Sequence, residues 1–316
     1  MNNAGTTPIF ATEYDRSACQ VGVVHLGFGA FHRAHQAVYI DDYMACSNDL
    51  RWGIAAVNLR GSESAHFDAA VADIDTHDGY HLKSFSSGGE VALRRVRPHV
   101  HFKDWSFAPT ESEALLAKES VHLVTITVTE SGYYTDPNGE LNLTDPTISA
   151  EVDGGKPQSV YGYLRAGLAK RTAETGAPLT IACCDNIRQN GKMLRRNLLA
   201  YLVACGGPEL SLLVGKDVTS PIMAEDFIQW VLQDSAGAEM PDLAQAGVTV
   251  TSDVDPYEET KIRVLNGGHT ALAYLAALEG VETFDAAMRV PHLNAHFQSF
   301  ETQEVLPAIT IDLPFS

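Results

Sequence analysis

VGVVHLGFGAFHRAHQAVYIDDY, residues Val21 to Tyr43, is the stretch whose reading decides the fold. It opens on a short, β-branched apolar run, Val21 to Leu26, of the kind that forms a buried parallel strand. Gly27-Phe28-Gly29 then makes a tight turn with two residues that lack Cβ. After the turn, Phe31 to Tyr43 has helical spacing, with Phe31, Ala34 and Val38 along one stripe. Strand, glycine turn, helix is the geometry in which backbone N–H groups at a helix N-terminus meet a diphosphate. The third glycine of a G-x-G-x-x-G pattern is replaced by His32. By pattern alone, a buried strand and a glycine turn suit any α/β domain as well as a nucleotide-binding one.

The chain has 316 residues, 45% of them apolar and 20% charged, enough for two domains with a sizeable core. The net charge of −18 repels phosphate backbones and argues against nucleic-acid partners. Five cysteines, an odd count with no C-x-x-C pair, argue against a disulfide framework and a structural zinc site. Residues 1–20 have no apolar signal core, and no run is long enough to span a membrane. A cytoplasmic location is expected.

Working outward, Arg51 to Leu59 reads as a second strand that delivers Arg60-Gly61-Ser62-Glu63. An acid just after this strand accepts hydrogen bonds from a free ribose 2′-hydroxyl. Glu63 is the candidate, although Arg60 lies closer to the strand; NAD is expected and NADP stays open. Ala65 to Ile74 reads as a helix, and His81 to Phe85 with Val91 to Val96 as a hairpin around Ser86-Ser87-Gly88-Gly89. Thr110 to Glu119 reads as a helix. Val121 to Thr129 is a buried strand ending at Glu130, and Leu141 to Pro146 reads as a polar loop. Tyr161 to Glu174 is a helix, Leu179 to Cys184 a strand, and residues 192–205 a helix. Phe227 to Gln233 is a strand or short helix, and Val248 to Ser252 a strand. Alternation of this kind implies a mostly parallel sheet. From Asp255-Pro256-Tyr257-Glu258, with an acid at the N-cap and proline at the first helical position, a helix is expected to run to Glu279. The domain boundary is set there: 1–254, then 255–316.

Lys261, Asn266 and His269 sit within that last helix, at about 0°, 140° and 80° around an α-helical axis, with Glu258 on the same broad face. Asn266-Gly267-Gly268 places two glycines mid-helix, at about 1 kcal/mol each relative to alanine, which suggests close packing against the backbone. The alternative is that the three residues end one helix and start another. Asn186 comes straight off a strand end, where open α/β sheets hold ligands and an amide can steady an oxyanion. Equally, Asp185 or Asn186 would serve as an N-cap. Glu130 sits at another strand end and has both readings.

The run Leu26 to Ala37 resembles the N-terminal signature of the long-chain mannitol dehydrogenase family, zinc-independent polyol and hexuronate oxidoreductases. Thr127 to Tyr133, Cys184 to Gly191 and Lys261 to His269 resemble its other motifs, in the same order. The resemblance implies a Rossmann-type domain followed by a mostly helical one, and hydride transfer between NAD(P) and a sugar carbonyl or alcohol. It implies that Lys261 is the general acid/base and that Asn186 and Asn266 stabilise the oxyanion. His269 would bind substrate, Glu130 would pass protons to solvent, and no metal would be needed. Cofactor binding falls to Gly27, Phe28, Gly29, Ala30, Phe31 and Glu63. The expected partner is a small polyol or sugar acid, mannitol first, with fructuronate (mannonate) reduction as the alternative; the expected oligomeric state is a monomer.

The chain departs from the family in two places. A longer segment is expected between Gly206 and Glu225, and family members continue past Ser316 through a helical region. The helical domain therefore reads as truncated. A nucleotide-binding module without turnover is the alternative that follows if the chain is that short.

Overall fold

The computed structural model describes residues 9–85, 91–206, 223–224, 228–234 and 238–309. The chain divides into two compact units, Met1–Ser252 and Asp253–Ser316. The serine–glycine turn at 86–89, Phe227 and most of the 206–225 segment lie outside the described residues.

The first unit is built on a five-stranded sheet. In chain order its strands are β2 (Val21–Leu26), β3 (Gly53–Asn58), β6 (His99–Asp104), β7 (Leu123–Ile126) and β8 (Thr180–Cys183). They lie side by side as β6-β3-β2-β7-β8, all parallel. Renumbered along this sheet, that is 3-2-1-4-5, the order of a dinucleotide-binding Rossmann sheet. The quoted stretch supplies the central strand. Alternate residues of β2 enter two cores: Val24 and Leu26 pack in one cluster, Val23 in the other. Burial on both faces explains why this strand reads as a continuous apolar run.

One reading needs correction, and two elements went unread. The helix after the glycine turn is not one element: α1 (Ala30–Ala34) and α2 (Gln36–Ser47) are separated at His35, whose φ of −127° and ψ of −91° break the winding. Phe31 therefore leaves the expected stripe and is 38% exposed. Strand β6 was not anticipated, because His-Val-His-Phe-Lys-Asp alternates polar side chains along a partly covered edge strand. The segment read as a loop up to Pro146 leads into a helix, Pro146–Val152, capped by Asp145 through the Thr147 and Ile148 N–H groups. The hairpin is present, with β4 (Tyr80–Phe85) antiparallel to β5 (Val91–Val96), and β1 (Ile9–Ala11) joins β5 in parallel.

The second unit is helical among its described residues, with a small core of Leu272, Ala276, Ala287 and Leu293. Asp255 is the first helical residue rather than the cap, and its N–H donates to Asp253 Oδ1 at 3.0 Å. The helix runs α over Asp255–Thr260, π over Lys261–Gly267, and α again over Gly268–Leu278. The π winding voids the 100° spacing assumed for Lys261, Asn266 and His269. Gly268 is closely packed: a Cβ there would lie 2.1 Å from Glu301 Oε1 and 2.8 Å from the Phe297 ring, so those side chains would have to move. Gly267 has no such constraint: a Cβ there would come no nearer than 3.5 Å, to the Ile262 carbonyl oxygen.

Candidate active site

The carboxyl ends of β2, β3 and β7 open onto a cleft of about 420 Å³ in the first unit. This is the switch point of the sheet, where strand order reverses and open α/β domains hold ligands. Gly27, Phe28, Gly29 and Ala30 line it from β2, Asn58, Leu59, Arg60 and Glu63 from β3, and Thr127 to Thr129 from β7. Five of the six residues assigned to cofactor binding thus meet in one cleft. Phe31 is not among its lining residues; its ring stacks on His35 instead.

Each turn glycine has a separate cause. Gly27 has φ +100°, and a Cβ there would lie 2.2 Å from the Thr127 carbonyl oxygen. Conformation and space both exclude a side chain. Gly29 precedes α1, and a Cβ there would meet nothing within 4 Å. Its exposed backbone leaves room for another group to approach. Phe28 forms wall rather than ligand: its ring meets Phe67, His99 and Phe102 edge-on, with the Arg33 guanidinium over it at 5.4 Å.

Behind the turn lies a buried histidine cluster that sequence reading missed. His25, His32 and His99 are essentially inaccessible. The rings of His25 and His32 stack at 3.3 Å between centroids, 10° from parallel. His25 Nδ1 and Nε2 lie 2.7 and 2.9 Å from the hydroxyls of Thr125 and Thr127. His32 Nε2 lies 2.8 Å from His99 Nε2, and its Nδ1 3.2 Å from Gln36 Oε1; Gln36 Nε2 lies 3.1 Å from His35 Nδ1. One proton assignment satisfies this run with neutral rings: His99 Nε2–H donates to His32, His32 Nδ1–H to Gln36, and Gln36 to His35. It leaves His99 Nδ1 bare, and that atom has no partner. Burial lowers the pKa of His32 to about 3 and holds His25 and His99 well below the usual imidazole range. His32 in the third glycine position is therefore a core residue that ties the turn to β6.

At the far end of the cleft, Asn58 donates to Asp104 at 2.8 Å and to the Arg60 carbonyl at 2.9 Å, fixing the chain where it leaves β3. The Arg60 guanidinium donates to the Val128 carbonyl at 3.3 Å, so it is held against the opposite wall. Glu63 and His66 complete that end.

Of the remaining assigned residues, Glu130 opens a short 3-10 turn, Glu130–Tyr133, and Asn186 follows β8; both side chains are exposed. Asn186 does not cap the next helix, Asn190–Ala204, whose N-cap position is Gln189. Lys261, Asn266 and His269 belong to the second unit. Lys261, the first residue of the π segment, is only 6% exposed. The Asn266 carbonyl accepts from the Thr270 hydroxyl at 2.8 Å, and the His269 ring stacks on Phe284 at 4.8 Å. Among the described residues, no set of three His, Cys, Asp or Glu side chains is placed to hold a metal, and no helix is long and apolar enough to cross a membrane.

Comparison with known proteins matches residues 21–221 to the mannitol dehydrogenase Rossmann domain and residues 253–314 to the mannitol dehydrogenase C-terminal domain. A mannitol 2-dehydrogenase of Cereibacter sphaeroides is 32% identical over 96% of this chain and 69% of its own length. A D-arabinitol 4-dehydrogenase of Ralstonia nicotianae is 32% identical over 91% of this chain and 68% of its own. Among solved structures, the Pseudomonas fluorescens mannitol 2-dehydrogenase in ternary complex with NAD and D-mannitol superposes with a TM-score of 0.85, at 28% identity. That match covers 98% of this chain and 68% of the other. The switch-point cleft and its glycine turn lie inside the first matched domain, and the lysine-bearing helix inside the second. On this agreement of sequence, strand order and fold, the chain belongs to the mannitol dehydrogenase family.

Proposed function

We propose that this protein is an NAD-dependent polyol dehydrogenase of mannitol 2-dehydrogenase type, interconverting a polyol and its ketose. The observation that carries the reading is the cleft where β2, β3 and β7 end, floored by a glycine turn whose Gly29 has open space where a side chain would be. The first unit serves as the dinucleotide-binding domain and the second as the start of a helical catalytic domain. The backbone of Gly27 to Ala30 would lie against the diphosphate, and Glu63 would accept hydrogen bonds from the adenosine ribose. When bound, NAD supplies the hydride acceptor.

The protein's own part is proton handling and orientation. Lys261 takes the proton from the reacting hydroxyl during oxidation and returns it during reduction. The amides of Asn186 and Asn266 donate to the oxygen as it gains negative charge. His269 orients the substrate, and Glu130, exposed at the start of the 3-10 turn after β7, passes the proton to solvent. These roles follow the family resemblance of the motifs, and no metal takes part in them. Fructuronate reduction by the same residues is the alternative substrate class.

The test is an initial-rate panel of polyols and sugar acids with NAD, run on wild type and Lys261→Ala. Wild type should form NADH with a polyol, and the variant should lose about 10²–10⁴-fold in kcat while still binding NADH. Full activity in the variant removes the lysine from the mechanism. Turnover of mannonate with NAD, or of fructuronate with NADH, and of no polyol, moves the protein to the alternative.

A further inference from the structure

Asp185 lies two residues past the end of β8, beside Asn186, and its carboxylate reaches back to the loop after β7. Oδ2 accepts the Val128 N–H at 2.8 Å, and Oδ1 accepts the Thr129 N–H at 3.0 Å. The Tyr133 hydroxyl adds a third donor at 2.6 Å. The loop so held is strained. Thr129 has φ +66° and ψ 161°. That region is open essentially to glycine alone, and a β-branched residue there is a genuine outlier. No cap or turn closure needs a carboxylate here, since Gly132 N–H closes the following turn on the Thr129 carbonyl at 2.9 Å. The strain is instead opposed at the two amides that Asp185 binds.

We propose that Asp185 is a positioning residue, a clamp that holds Thr129 in its strained conformation and so shapes the cleft wall and aims Glu130 and Asn186. Thr127, Val128 and Thr129 line the cleft, so the clamp acts on the surface that would meet the cofactor. Val128 is gripped on both sides: its N–H by Asp185, its carbonyl by Arg60. The same carboxylate precedes Asn186 in sequence and fixes the residue before Glu130. One side chain thereby sets the wall and two candidate site residues together. The inference rests on the dehydrogenase reading above, and strain kept at a site is held only where surrounding contacts over-determine it.

Asp185→Asn preserves shape but turns one acceptor into a donor facing a backbone N–H. NADH titration by fluorescence should show its Kd raised about tenfold, with KM for NAD raised in step. Thr129→Gly removes the strain, so the double variant D185N/T129G should regain most of the lost affinity. A carboxylate that merely satisfies two amides predicts otherwise: Asp185→Asn lowers Tm without moving Kd, and the added glycine leaves Kd where it was. Should Asp185→Asn not fold, Thr129→Gly alone still decides. Its Tm should hold or rise, whereas a fall of the ordinary glycine kind overturns the clamp. Wild type that fails to bind NADH overturns the functional reading itself; binding by wild type with D185N unchanged overturns only the clamp.

Discussion

Gly27 carries two constraints that usually occur apart. Its φ of +100° disfavours any L side chain, and its α-carbon lies so close to β7 that a methyl group would enter the Thr127 carbonyl. Gly27→Ala should therefore cost about 2–3 kcal/mol of stability and at least about tenfold in NADH affinity. Chemical denaturation and NADH titration measure the two effects separately. The same substitution at Gly29, where nothing lies within 4 Å, should spare stability and affect affinity alone. That contrast was not legible in the sequence, where the two glycines look equivalent. The glycines themselves were legible as a tight turn after a buried strand, a pattern that by itself suits any α/β domain. Asp185 was legible only as a helix cap, since its true partners lie more than fifty residues away and leave no local pattern.

At the scale of elements, α1 and α2 show how a motif can mislead. His32 looks like a damaged fingerprint, yet the space a third glycine would leave is filled by an imidazole stacked on His25 and bonded to His99. The break at His35 likewise has no sequence signal, because apolar spacing continues through it. The buried histidines carry a consequence for acid stability. His32 has a folded pKa of about 3 against an ordinary 6.5, so it stays neutral in the fold while the unfolded chain takes up a proton. The unfolded state binds more protons between those values, and stability is lost as pH falls through the window. The full contribution is present above about pH 6.5. The slope is about 1.4 kcal/mol per pH unit for each such histidine, and His25 and His99 are shifted in the same direction. Thermal melts from about pH 7.5 to 5 should show a falling Tm, and His32→Phe should flatten the slope by about one proton while lowering Tm at neutral pH. A Tm independent of pH across that range would contradict neutral burial. In the second unit the expected close packing at Asn266-Gly267-Gly268 is real but confined to Gly268, against Glu301 and Phe297. The π winding that carries Lys261 was not readable, since no residue type specifies it.

For the whole molecule, the fold class was legible because four of the five sheet strands are buried apolar runs separated by helices, which leaves few alternatives to a parallel sheet, and the right-handed crossover narrows them further. The edge strand β6 escaped because, among the described residues, only one side of it is paired, and its sequence carries the polar residues an edge tolerates. The chain spans about two thirds of the length of the relatives described above, 69% and 68%. The central claim is that the cleft at the switch point of the first unit holds the dinucleotide. A crystal structure of the protein grown with NADH tests it most directly. The account predicts density for the diphosphate against the backbone of Gly27 to Ala30 and for the adenosine ribose beside Glu63. Ordered dinucleotide anywhere else, with the glycine turn bare, would contradict it.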